Sequence, residues 1–338
     1  MSLDRQVCKL ALERWSDFGT DTPPPAGLVF VKLQSKLSNN GSIVALLCDE
    51  QTGATRVVVK IPRNPEVTTA IDREANAMAA LTTGYRQWAN KGSISNGGFR
   101  ETIAGLKVLF QEASDGSSMV RQMTGRESIA ANIGRSTRWL LEFHKHAATQ
   151  VTLAGDQLES HVLQPVALFG QFLSDNNLSV SAGVEQYLQD LPGRVDGASL
   201  SLISKHGDFN AHNIVIRDAA AGSALFVIDW EDFSAAQLPI YDLNHFFTSN
   251  SKLVAVGKSA EQAYASLMMT QGWYQSEYRD AVSRYEQANI VDAATFYALS
   301  PLYLVDSALR MTDENRQQQG TIDVWLDRLE QYVRDFAA

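Results

Sequence analysis

The chain has 338 residues, 45% of them hydrophobic and 20% charged, with a formal net charge of −9 and an isoelectric point near 5.2. This acidic balance argues against a nucleic-acid-binding surface, which needs clustered Lys and Arg to neutralise phosphates, and slightly favours a cationic ligand. No long apolar run and no apolar leader occur, so a cytoplasmic protein with no membrane partner is expected. Cys8 and Cys48 are expected as free, partly buried thiols; neither has the neighbours of a zinc site.

In chain order, Leu3, Val7, Leu10, Ala11, Trp15 and Phe18 fall on one face of an N-terminal helix, and Pro23-Pro24-Pro25 ends it. Three Val-, Leu- and Ile-rich runs follow, Leu28 to Leu33, Ile43 to Cys48 and Val57 to Ile61, which predict an antiparallel meander. Pro65 is expected to open a helix through Leu81, with Ile71, Ala75, Met78 and Leu81 facing inward. Two more strands are expected near Phe99 to Ile103 and Leu106 to Gln111. The stretch Glu112 to Ser118 then crosses into a mostly helical remainder. There the spacing predicts helices over 128–146, 157–174, 183–191, 239–248, 259–269, 275–288, 292–311 and 319–336, with short strands near 200–204, 213–216 and 224–228. The expected class is α+β: a small antiparallel β lobe with one helix, then a larger, mainly helical lobe. By domain, 1–26 is an N-terminal helix and linker, 27–112 a nucleotide-binding N-lobe, and 113–338 a C-lobe for catalysis and substrate binding.

The chemistry concentrates in His206-Gly207-Asp208-Phe209-Asn210-Ala211-His212-Asn213, which has the H-x-D and Asp-to-Asn spacing of a kinase catalytic loop. Phosphoryl transfer needs an oriented hydroxyl, cations on the phosphates and fixed charge more than covalent help. Asp208 can accept the hydroxyl proton, and Asn213 offers a neutral oxygen to a hard cation such as Mg²⁺. Downstream, Leu225 to Ile228 is an apolar strand ending in Asp229, where the kinase D-F-G segment has its metal-binding Asp. Upstream, Val57-Val58-Val59-Lys60 matches the strand that carries the phosphate-pairing Lys, and Glu74 on the next helix can pair with Lys60.

The segments HGDFNAHN and IDWEDF, followed by PIYDL, resemble those of the aminoglycoside phosphotransferase and choline kinase-like family. The element order agrees from about Gly27 to the C-terminal helix. The resemblance implies a bilobal protein-kinase-like fold and an enzyme that phosphorylates a small alcohol with ATP and Mg²⁺, the acceptor being an aminoglycoside, an amino alcohol or a sugar. It implies Asp208 as catalytic base, Asn213 and Asp229 as metal ligands, and Lys60 with Glu74 as the phosphate-positioning pair. Asp242, in PIYDL, would hold the catalytic-loop backbone, and Gln111 and Glu112 fall where the family's hinge reads adenine with backbone groups.

The phosphate loop expected at Ser35 to Ser42 reads SKLSNNGS, with a single glycine, Gly41. Ser38, Asn39, Asn40 and Ser42 can still form a tight turn whose backbone N–H groups face phosphate, and Ser38, Asn40 and Gly41 are the nucleotide-binding residues expected in this loop. That glycine-poor loop motivates an alternative, a catalytically silent nucleotide-binding interaction module. A protein kinase is the third reading; Gly207 in place of an Arg, and the 13 positions between Asp229 and Asp242, leave little room for an activation segment. His206 is expected to be structural and His212 solvated. Trp230, Trp273, Tyr274, Tyr278 and Tyr303 are expected in the core, and Glu231 and Asp232 either meet a cationic substrate or form a solvated charge pair.

Overall fold

The computed structural model describes residues 1–19, 22–33, 42–64, 68–217, 224–313 and 319–336. Pro65, expected to open a helix, lies outside these, as do Ser38, Asn40 and Gly41. The chain divides into two compact units, one made of residues 1–121 and 212–233, the other of 122–211 and 234–338. A split read along the sequence assigns 113–338 to one lobe; in the structure, residues 212–233 pack with the first unit.

The first unit begins with α1 (Leu3–Glu13), whose Val7 and Ala11 are fully buried, followed by a turn at Trp15–Phe18. Its sheet contains β1 (Leu28–Lys32), β2 (Ser42–Asp49) and β3 (Thr55–Pro62), the expected meander. The helix α2 (Thr69–Gly84) and the short α3 (Arg86–Asn90) precede β4 (Gly98–Ile103) and β5 (Leu106–Glu112). All neighbours run antiparallel, in the order β1-β2-β3-β5-β4.

Alternation decides which side chains leave each face. On β3, Val57, Val59 and Ile61 join Val108 and Phe110 of β5 in a core shared with α1, Trp15 and Phe18. Lys60 therefore points to the opposite face, where it is in register with Leu109. Leu109 packs there with Ile71 and Met78 of α2. The Val-rich pattern thus fixes Lys60 beneath α2, as the sequence position of Glu74 requires. A two-residue strand, β6 (Ser117–Ser118), closes this stretch.

The second unit starts with α4 (Arg126–His146), which buries the expected stripe of Ile129, Ile133, Thr137, Leu140, Leu141 and His144. Next come β7 (Thr149–Thr152), α5 (Asp156–Leu158), a π-helical turn, α6 (Gln164–Asp175), α7 (Ala182–Val195) and β8 (Ser199–Lys205). The chain then re-enters the first unit, where β9 (Ile214–Arg217) pairs with both β6 and β10 (Ala224–Val227). Back in the second unit, β11 (Ser234–Gln237) pairs with β8. Helices α8 (Tyr241–Val254), α9 (Ala260–Met268), α10 (Trp273–Gln287), α11 (Ala293–Leu299), α12 (Pro301–Asp313) and α13 (Gln319–Phe336) complete it. The helix expected over 292–311 is interrupted at Ser300 because Pro301 has no N–H to continue the ladder and is preorganised to start a new one. Among the described residues no helix is long and apolar enough to cross a membrane.

Candidate active site

In the first unit, β3 and α2 bring Lys60 and Glu74 together: the ammonium donates to Glu74 Oε1 at 2.8 Å and Oε2 at 2.6 Å. It also donates to Asp229 Oδ1 at 2.6 Å, joining a residue 169 positions away. Glu74 is 1% exposed, so its carboxylate is held by partners rather than water. Gln111 supplies another, donating from Nε2 to Glu74 Oε1 at 2.7 Å. Burial alone would lower the Lys60 pKa, but the Asp229 and Glu74 carboxylates outweigh it and hold the ammonium well above its ordinary value.

The β9–β10 hairpin sets the two expected metal ligands. Ile214 pairs with Val227, and one step beyond, the Ile228 N–H donates to the Asn213 carbonyl at 3.0 Å. Asn213 and Asp229 consequently stand at the same end of the hairpin. Asp229 takes φ +67°, a left-handed backbone that costs a non-glycine residue roughly 1 kcal/mol or more. The Lys60 contact holds it there. Trp230 fills core space behind, 3% exposed, with its indole N–H on the Val227 carbonyl at 3.0 Å. Glu231, half-buried, has its carboxyl pushed up to about 7 by burial and then by the Asp229 charge.

Among the described residues no group of three or more His, Cys, Asp and Glu could hold a metal by itself. Asn213 and Asp229 instead form a sparse set of hard oxygen donors. Mg²⁺ is commonly bound by one or two carboxylates while keeping substrate phosphates and water as its other ligands, so this donor set fits it.

In the second unit, the segment after β8 is pinned by Asp242, at the start of α8. This carboxylate is fully buried and accepts the backbone N–H groups of His206 at 2.6 Å and Gly207 at 2.8 Å, and His144 Nε2 lies 3.2 Å away. Burial opposes ionisation, yet the hydrogen bonds and the neighbouring His144 and His206 win and bring its pKa down to about 2. Gly207 adopts φ +92°, which explains glycine here: an Arg would be strained. The Arg310 guanidinium of α12 reaches the Gly207 carbonyl at 3.4 Å. His206 is fully buried, and its Nδ1 accepts the Asp208 N–H at 3.2 Å, a structural role as expected.

Asp208 itself is 39% exposed at its side chain. Its Oδ1 accepts from Asn210 Nδ2 at 2.8 Å and lies 2.7 Å from His245 Nε2. Sequence reasoning missed His245. The available signal was its position three residues after Asp242 on one helix, which places it a turn further along the face that meets the loop.

Gln111 reaches the Lys60–Glu74 cluster by its side chain. The Glu112 N–H donates to the Gly97 carbonyl at 3.3 Å, and the Glu112 carboxylate accepts the Asn96 N–H at 2.8 Å. His212 is exposed, while Tyr274, Tyr278 and Tyr303 are buried.

No protein-family model matches the chain, and no curated protein matches it in sequence. Solved structures match it in fold. A presumptive aminoglycoside phosphotransferase from Ralstonia eutropha JMP134 aligns with a TM-score of 0.56 at 13% identity, over 96% of this chain and 98% of its own. The chain has the protein-kinase-like fold of the aminoglycoside phosphotransferases. The GDP and kanamycin complex of APH(2″)-IIIa aligns at a TM-score of 0.51 and 11% identity, covering 97% of this chain and 98% of that one. Glucosamine kinase aligns at 0.52 and 14%, covering 97% and 80%. At these identities the likeness is one of fold.

Proposed function

We propose that this protein is an ATP- and Mg²⁺-dependent kinase that phosphorylates a hydroxyl of a small molecule. The observation that carries the reading is the cluster of Lys60, Glu74 and Asp229. An ammonium is held by two carboxylates from distant parts of the chain, on the strand, helix and hairpin that the motifs assign to phosphate and metal handling. The fold supports it, since the aligned structures include a glucosamine kinase and an APH enzyme solved with GDP and kanamycin.

In this mechanism Lys60, oriented by Glu74, holds the α- and β-phosphates. Gln111 keeps Glu74 in place. Asn213 and Asp229 would hold one or two Mg²⁺ ions, which when bound neutralise charge on the β- and γ-phosphates. Asp208, on a loop fixed by Asp242, orients the acceptor hydroxyl and takes its proton. The γ-phosphorus–oxygen bond to ADP breaks as the bond to the acceptor oxygen forms. Because the transition state is loose, orientation contributes more than proton abstraction.

A small acceptor is favoured over a protein. Between Asp229 and Asp242 the chain is occupied by β11, in which Ser234 and Gln237 pair with Lys205 and Ile203. The acceptor class proposed is an aminoglycoside, an amino alcohol or a sugar. The test is ADP production from Mg·ATP against a panel of all three, with Asp208→Asn as control. One acceptor that raises the rate, and fails to do so in the variant, supports the reading. ATP binding without turnover on any acceptor, and without dependence on Mg²⁺, supports a silent nucleotide-binding module instead.

A further inference from the structure

The proposed base is part of a longer hydrogen-bonded chain. His245 Nε2 lies 2.7 Å from Asp208 Oδ1, and the other ring nitrogen, Nδ1, lies 3.2 Å from the Tyr303 hydroxyl on α12. Ser249, one turn along α8, places its hydroxyl 3.1 Å from Nε2. The ring is also set edge-on to Tyr303, centroids 6.0 Å apart. Tyr303 is 3% exposed and packs in turn on Trp325, at 5.8 Å.

The direction of each hydrogen bond follows from the chemistry of the partners. An ionised carboxylate only accepts, so the nitrogen facing Asp208 must carry the proton. Burial pushes the Tyr303 phenol up to about 12, so it remains protonated and can donate to Nδ1. A neutral imidazole that donates at one nitrogen must accept at the other. Both ends therefore select one tautomer, with the proton on Nε2.

We propose that His245 is a positioning residue for Asp208, held by Tyr303 as the neutral Nε2–H tautomer. Its donated bond, with that of Asn210, converges on Oδ1 and fixes the plane of the carboxylate. Protonating Nδ1 gives that ring nitrogen a hydrogen it must donate, so the Tyr303 hydroxyl has to turn and accept. The imidazolium then pairs with Asp208 and makes it a poorer proton acceptor. The groups around this ring are Asp208, Asn210, Ser249 and Tyr303. Asp306 and Arg310 of α12 pair with each other at 2.6 Å, and the Arg328 guanidinium of α13 stacks on Trp325 at 4.6 Å.

This proposal rests on Asp208 as the base, so the experiment includes readouts that need no acceptor. Imidazole ¹⁵N NMR of the whole protein at neutral pH should show His245 protonated at Nε2, and Tyr303→Phe should mix the tautomers. The titration midpoint of the Asp208 carboxyl, followed by ¹³C NMR, should rise in His245→Phe and return in His245→Gln, whose amide can donate from a similar place. A proton on Nδ1, or a midpoint unmoved in His245→Phe, overturns the proposal whether or not the kinase reading stands. The rate of ADP release from Mg·ATP, with water as the acceptor, tests the consequence. His245→Phe should lower kcat roughly 10- to 100-fold, at the low end of general acid–base effects, with KM for ATP unchanged. His245→Gln should recover to within about fivefold. Equal losses in the two variants would overturn positioning.

Discussion

Replacing Asp242 by Asn should loosen the loop at 206–213 and make the protein less sensitive to acid. The carboxylate is fully buried and takes two backbone N–H groups of the loop, at 2.6 and 2.8 Å, with His144 Nε2 at 3.2 Å. Asn keeps the shape but offers one acceptor oxygen and loses the charge. At least one loop N–H is then left buried without a partner, which costs about 1–3 kcal/mol. Asp242→Ala removes every acceptor and should cost about 3–5 kcal/mol. The same contacts hold the folded pKa at about 2, against 3.8 for an ordinary aspartate. A folded pKa below the unfolded one adds stability that is complete above the unfolded value and is lost as pH falls through the folded one. Here the difference corresponds to about 2 kcal/mol, present above pH ~4 and lost progressively towards pH ~2. Urea denaturation at pH 7, 5, 4 and 3 should therefore show a gap between wild type and Asp242→Asn that is widest at pH 7 and narrows below pH ~4. A gap under about 1 kcal/mol at pH 7, or one that does not change with pH, would refute the reasoning.

Lys60→Met should remove phosphoryl transfer by roughly 10²-fold or more and destabilise the first unit by about 3–5 kcal/mol, because Glu74 is left buried without its cation; ADP production and thermal unfolding check the two effects separately. Gly207→Ala should cost about 1–3 kcal/mol in chemical denaturation, since a Cβ is strained at its positive φ. Glu231, with its pKa raised to about 7 from 4.5, binds a proton more tightly folded than unfolded, so it lowers stability as pH rises from about 4.5 through 7. Asp229→Asn removes a neighbouring charge and should move the Glu231 midpoint down in a ¹³C-carboxyl titration. Calorimetry should find that ATP binds at least about tenfold more weakly in EDTA than with Mg²⁺, and equal affinities would count against the metal assignment.

Much of the first unit was legible because its strands alternate. Val57, Val59 and Ile61 on one side of β3 leave Lys60 on the other, and a helix bearing Glu74 follows. The loop at 206–213 was legible because its polar residues sit at fixed spacing after an apolar strand. β6, β7 and β11 were not foreseen. They are two to four residues long, largely polar, and become strands only by pairing with β9 and β8. The role of Gln111 was hidden for another reason. The sequence suggested backbone groups at that position, whereas its side chain turns to Glu74, and a chain position does not reveal a rotamer. His245 escaped because the fold, rather than any short motif, brings it to a residue 37 positions earlier.

Charge balance links the first unit's geometry to the cation dependence expected of it. Around Lys60 stand two carboxylates at hydrogen-bond distance, Glu74 and Asp229, and Glu231 adds a third that senses both. One ammonium against Glu74 and Asp229 leaves the cluster negative even with Glu231 protonated. A bare triphosphate, itself strongly anionic, would meet net repulsion on approaching Asp229. Just past β10 the chain places this aspartate in a left-handed backbone conformation that Asp tolerates better than most side chains. In the proposed mechanism a divalent cation arriving with the nucleotide would turn Asp229 from a repelling charge into a ligand. Under the proposed function, the excess of acid beside Lys60 would be offset by a Mg²⁺ ion carried in with the phosphates.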